Sequence, residues 1–223
     1  MGLSNKQGNS QTFVTIVGGK FTIRLQDGDN NPDAVERVLE KGPNAGKTVR
    51  ELQFTHLDGM ILDGEMHKSE YGVDFTLIMQ DGDDGFKLQI PLDSQFFGQV
   101  AKRLPNLDPT KKVVFGLGWD KERNRNFLFI QQDGASVHMN YTKDNPNGMP
   151  PPVQKTVKGQ KKWDFEEQEN FLYEVAIDWL AGLGGVVVTP EEQASPSASY
   201  TDDQAPSEAE LPVAEDGELD VPF

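Results

Sequence analysis

Cysteine is absent from the 223 residues of this chain, which excludes disulfides, thiolate zinc sites and cysteine nucleophiles together. Histidine is scarce: His56, His67 and His138 are scattered, and no two are spaced as a metal-ligand pair. No apolar run approaches the ~20 residues needed to cross a bilayer. The opening stretch, MGLSNKQGNSQ, holds no apolar segment of the signal-peptide kind. A soluble cytoplasmic protein is the expectation. Hydrophobic residues amount to only 36%, so part of the chain has no core to build.

Basic residues are missing from one region. From Pro190 to Phe223 there are ten acidic residues and no lysine or arginine, whereas residues 1–189 hold 26 acidic and 21 basic residues. The tail thus carries −10 of the net charge of −15. It is rich in Pro, Ser and Ala, with Tyr200 its one aromatic before the last residue. Such a composition buries too little apolar surface to offset the entropy of ordering. The expected division is a folded body over 1–181 and a disordered acidic tail over 182–223. A body of small net charge still suits a polyanion if its cations gather on one face.

Alternation defines the body. Thr12–Val17 and Lys20–Gln26 flank Gly18-Gly19 and predict a hairpin. Residues 27–33 are a turn-rich connector, and Ala34–Glu40 suits either a helical turn or a short strand. Lys47–Lys68 predicts one long bent strand, with Gly59 and Gly64 marking a bulge or bend. Tyr71 to Met79 alternates, DGDDG at 81–85 turns, and Phe86, Leu88 and Ile90 return. Phe75 and Phe86 lie on apolar faces and are assigned to the core. Asp93 or Ser94 caps a helix over 95–104 that Pro105 ends. Two further strands, Val113–Leu117 and Phe127–Ile130, are joined by a charged loop at 118–126. Pro-rich Asn145–Pro152 is a loop, the basic run over 141–163 a mobile segment, and 163–180 an amphipathic helix with Gly182 beyond its end.

From residue 47 the order is long strand, strand, strand, helix, strand, strand. It predicts an all-β fold with added helices: a five-stranded OB-fold barrel with a helix between strands 3 and 4, an amino-terminal β-hairpin and a carboxy-terminal helix.

Enzymatic signals are weak. Gly42–Thr48 resembles a phosphate loop but has three residues between its glycines where four are needed, and TVRELQF after it alternates as a strand. Asp27, Asp29 and Asn31, and separately Asp81 and Asp83, begin like calcium loops. Their twelfth positions are Val38 and Leu92, and their sixth are Pro32 and Phe86, where the loop needs Glu and Gly. A two-metal nuclease could use such aspartates, but no His, Glu or Lys stands at a supporting spacing. No catalytic residue, metal or cofactor is expected.

Cations interleaved with aromatics point elsewhere. Lys111 and Lys112 enter one strand, Trp119, Lys121, Arg123 and Arg125 occupy the loop, and Phe127 and Phe129 share a face of the next strand. Leu128 and Ile130 occupy its other face, and only one face can be core. Either the phenylalanines pack inside, or they form an exposed stacking platform beside a basic loop, the combination that binds single-stranded nucleic acid. Tyr71 opens its strand near the barrel mouth, and Arg50, Lys68 and Lys87 extend the groove.

The chain ends Asp216-Gly217-Glu218-Leu219-Asp220-Val221-Pro222-Phe223. A terminal Phe with its carboxylate, preceded by acids, suits a basic and apolar partner pocket. With the strand order over 34–131, this ending resembles the single-stranded DNA-binding proteins of bacteria and their phages, whose acidic tails end Asp-Ile-Pro-Phe or a close variant. The resemblance implies an OB-fold body that binds single-stranded DNA without strong sequence preference. It further implies a tail that recruits replication, recombination and repair proteins through Asp216, Glu218, Asp220, Val221, Pro222 and Phe223, and that competes with DNA for the groove. A phage source implies the cytoplasm of an infected bacterium. Self-association along DNA is an expectation; the family tetramer is not carried over, because the amino-terminal hairpin and the 163–180 helix are additions to the ordinary pattern. The alternative is a non-enzymatic adaptor whose barrel binds protein and whose acidic tail recruits.

Overall fold

The computed structural model describes residues 12–26, 28–40, 44–69, 72–157 and 159–184. It is mainly β, with two α-helices. β1 (Thr12–Val17) and β2 (Lys20–Arg24) form the expected hairpin, because Val14 and Ile16 alternate inward against Phe13 and Thr15. The ambiguous 34–40 segment is a strand, β3 (Val35–Val38), which pairs antiparallel with β4 (Thr48–Phe54). In the connector before it, Asp29 and Asn31 accept hydrogen bonds from the amides two residues on, so these side chains build turns.

The single long strand expected over 47–68 is two strands broken at Thr55. β4 turns away to pair with β2 and β3, and β5 (His56–Ser69) enters the body. β5 is the shared strand: His56–Gly59 pair with β8 (Val113–Asp120), and Met60–Ser69 pair with β6 (Gly72–Asp81). The bulge lies between Ile61 and Asp63, leaving Leu62 exposed, and not at either glycine. Gly59 instead admits the Gln80 carbonyl, which would stand 2.7 Å from a Cβ there. At Gly64 the corresponding neighbour is Leu180 of the last helix, at 2.4 Å.

β6 and β7 (Asp84–Pro91) meet through a two-residue turn, since Asp81 faces Asp84. Ser94 Oγ then accepts from the Phe96 amide at 3.1 Å and caps α1 (Gln95–Ala101). The helix is shorter than expected, and Pro105 sits inside a separate 3-10 turn, Leu104–Asn106. β8 and β9 (Arg125–Gln132) form a longer hairpin than predicted, so the loop shrinks from 118–126 to 121–124. A short β10 (Ala135–Ser136) returns on β9.

The segment expected to be a mobile basic run includes a second sheet of two strands, β11 (Val153–Val157) and β12 (Gln160–Asp164). Trp163 therefore belongs to a strand, and α2 runs over Glu166–Leu183, ended by left-handed Gly184 and not by Gly182. Gln168, Leu172, Ala176 and Leu180, one turn apart, form its buried stripe.

The main sheet holds ten strands in the order β10-β9-β8-β5-β6-β7-β1-β2-β4-β3. It is mixed, because β1 runs parallel to β7, with Thr12 beside Phe86 and Val14 beside Leu88. β7 therefore has β6 and β1 as neighbours, while β9 has β8 and β10. The far edge of β9 meets α1: the Leu128 amide donates to Gln99 Oε1 at 2.7 Å. One core joins the sheet to α1 and α2 through Phe75, Leu77, Leu88, Phe96, Phe115, Leu128, Ile130 and Leu180, and Phe86 packs on its margin. Among the described residues no helix is long and apolar enough to cross a membrane.

Candidate nucleic-acid interface

The β8–β9 hairpin decides which face of Phe127–Ile130 is inside. Leu128 and Ile130 are completely buried, while Phe127 is 38% exposed and Phe129 half-buried on the outer face. Directly across from them on β8 stand Gly118 and Gly116. A Cβ at Gly116 would lie 2.1 Å from Phe129 Cζ, and one at Gly118 would lie 2.5 Å from Phe127 Cζ. Both rings thus lie down across β8 over bare backbone. Their centroids are 6.2 Å apart, with planes tilted by 42°.

A third ring continues the row. His56 of β5 faces Gly116 from the other side and stands edge-on to Phe129, with centroids 5.8 Å apart. The row Phe127, Phe129, His56 crosses three strands. Nothing in the sequence marks His56, because its place depends on the β5–β8 register. A sequence signal for the phenylalanines does exist: the outer phase of β8 reads Val114, Gly116, Gly118, Asp120 and leaves room for rings from a neighbour.

The cations divide into two sets. Lys121 and Arg123 occupy the 121–124 turn, and Arg125 follows on the outer phase with Phe127. Arg123 Nε lies 4.0 Å from Asp120 Oδ2, an exposed contact of small energy. These three stand at the end of the aromatic row. Lys111 and Lys112 do not join them, because they precede β8 at its opposite end, about 25 Å away along the strand. Lys112 Nζ sits between Asp58 and Asp81 at 2.6 and 2.9 Å, and Lys111 Nζ is 2.7 Å from Asp133. Hydrogen bonds to those carboxylates hold both ammonium groups above their ordinary pKa.

Other expected positions are also engaged or displaced. Lys87 is paired with Glu65 at 2.9 Å, and Arg50 donates to the backbone carbonyls of Asp29 and Asn31, pinning the connector. Lys68 is exposed at the opposite end of β5 from His56. Trp119 is 51% exposed, but it is a strand residue paired with Asn126, in phase with Leu117. It therefore projects from the face opposite Phe127 and Phe129, because alternation persists where a loop was expected. Tyr71 and the tail residues Asp216, Glu218, Asp220, Val221, Pro222 and Phe223 lie outside the described residues.

One cation was not singled out by sequence. Lys102, just beyond α1, is only 8% exposed. Its pKa is pushed below the ordinary lysine value, first by burial and then by the charges of Arg103 and Arg125. Arg103 is held by the carbonyls of Val137 and Gln99 at 3.1 and 2.6 Å. Because the folded pKa of Lys102 is depressed, the unfolded chain binds more protons from that pKa up to the ordinary lysine value of 10.5. Stability should accordingly rise with pH across that window. Lys102→Met should raise unfolding stability at pH 7 by about 1–2 kcal/mol and abolish part of the alkaline rise. Urea denaturation at pH 7 and pH 10 reads both effects.

Among the described residues no group of three or more His, Asp or Glu side chains is placed to hold a metal ion. No family model, curated protein or solved structure matches the chain. The class is therefore set by fold and surface: a mainly β protein built on a mixed sheet, carrying an outward aromatic row with a cationic turn at its end.

Proposed function

We propose that the protein binds single-stranded DNA without strong sequence preference and takes no catalytic role. The observation that carries this reading is the row Phe127, Phe129, His56, its two phenylalanine rings lying outward over Gly116 and Gly118. Spacings of 5.8 and 6.2 Å between centroids suit successive bases of an extended strand, each stacked base adding ~1–3 kcal/mol. Lys121, Arg123 and Arg125 take phosphates and release counterions. Lys111 and Lys112 are secondary contacts, since exposed ion pairs worth ~0–1 kcal/mol can exchange a carboxylate for a phosphate.

The OB-fold reading of the body rests on β5 to β9 with α1. They follow the expected order, β5 is shared between β6 and β8, and β8 is antiparallel to β9. An OB-fold is itself a partly open barrel, and β1 lying parallel to β7 fills the place beside its third strand. The ending Asp220-Val221-Pro222-Phe223 supports a tail that recruits replication, recombination and repair proteins in the cytoplasm, in keeping with the resemblance to the bacterial and phage proteins.

A protein-binding adaptor is the second reading, favoured by the ion pairs that already engage Lys87, Lys111 and Lys112. Fluorescence anisotropy on labelled oligo-dT and on matched duplex, over a salt series, separates the two. Salt-sensitive binding at least about tenfold tighter to the single strand is expected, with equal or tighter binding after truncation at Thr189. No binding by either chain would leave the adaptor reading.

A further inference from the structure

We infer that the β11–β12 ribbon is a second phosphate-binding arm for the nucleic-acid backbone, separate from the aromatic row. The inference rests on the single-strand reading and extends it to a surface outside that row.

The ribbon stands apart from the main sheet: its two strands pair only with each other, from Val153–Asp164 to Val157–Gln160. Every residue of β11 is exposed, as are Gln160, Lys161 and Lys162 of β12. An isolated two-stranded ribbon is marginally stable in water, and its persistence needs a reason. Its base supplies one, because Gln168 Nε2 of α2 donates to the Pro150 carbonyl at 3.3 Å and ties the incoming chain to the body.

Its charge is unusual for this protein. Residues 153–164 contain four lysines and a single acid, Asp164, although the whole chain is net −15. Lys158 lies outside the described residues. Lys155 and Lys162 are directly opposite each other and share a face, while Lys161 faces Thr156 on the other. Like charges directly across a strand pair are destabilising unless an anion stands between them. Asp164 reaches Lys155, but no carboxylate of the described residues lies within ion-pair distance of Lys161 or Lys162. Cations on both faces of a thin ribbon fit a flexible polyanion that can pass along either side, and a nucleic-acid backbone has that chemistry.

The test is the salt dependence of oligo-dT binding by the full chain. Replacing Lys161 and Lys162 together by Gln should lower the slope of log K against log salt by about 1.4 and weaken binding about tenfold at low salt. Lys161→Arg with Lys162→Arg should retain the wild-type slope. A wild-type slope in the Gln variant overturns the arm while leaving the aromatic row standing. Failure of the wild type to bind oligo-dT overturns both. A synthetic peptide of residues 190–223 that binds the wild type and not the Gln variant, with the DNA slope unchanged, would assign the ribbon to the chain's own tail and overturn the arm.

Discussion

Replacing Phe127 and Phe129 together by alanine should weaken oligo-dT binding at least about 30-fold, the equivalent of two stacked bases at the low end of ~1–3 kcal/mol each. The effect should be nearly independent of salt, because no phosphate contact is removed. The fold should persist, since Leu128 and Ile130 fill the core side of the same strand and are untouched. Circular dichroism and thermal melting check the fold, and anisotropy reads the binding. Wild-type affinity in a folded double variant would remove the platform. His56→Ala should give a smaller loss of the same kind, about fivefold for one stacked ring.

The second large effect concerns stability. Glu51 is buried to 1% exposure on β4, and Arg37 of β3 holds it through two hydrogen bonds, Nη2 to Oε1 at 2.8 Å and Nε to Oε2 at 3.1 Å. Arg37→Met leaves that carboxylate without this partner and should destabilise the protein by about 3–5 kcal/mol. Replacing both residues by apolar side chains, Arg37→Met with Glu51→Leu, should recover most of the loss, because the buried charge disappears with its partner. Urea denaturation of the single and double variants measures the difference. Equal stability of Arg37→Met and the wild type would show that the pair carries no such weight.

Several elements were legible because their chemistry is local. Val14 and Ile16 in β1 and Phe75, Leu77 and Met79 in β6 recur at every second position, and all five are buried. Ser94 precedes an apolar run and caps it. Other features were not legible. The break at Thr55 was hidden because β4 and β5 both carry strand-like sequence, and only different pairing partners separate them. The ribbon is hidden in the sequence because lysines mask Val153, Thr156 and Val157 around the Gly159 turn. Trp119 reads as a loop residue because a charged stretch does not reveal that alternation continues through it.

The candidate site shows the same division. Its phenylalanines and cationic turn were identified from one short stretch, but both phases of Phe127–Ile130 are apolar, so periodicity alone left the outward face open. By itself the sequence determined the amino-terminal hairpin, the two strands around the 81–85 turn, the capped helix, the absence of thiol chemistry and the concentration of net negative charge in the last 34 residues. Tertiary structure alone decided that Phe127 and Phe129 face outward over glycines, that His56 completes their row, and that Lys111, Lys112 and Lys87 meet carboxylates. The physical reason is range. Alternation is a property of one strand and fixes which residues share a face, whereas neighbours across strands depend on register between segments far apart in the chain, and register is set by the packing of the whole core.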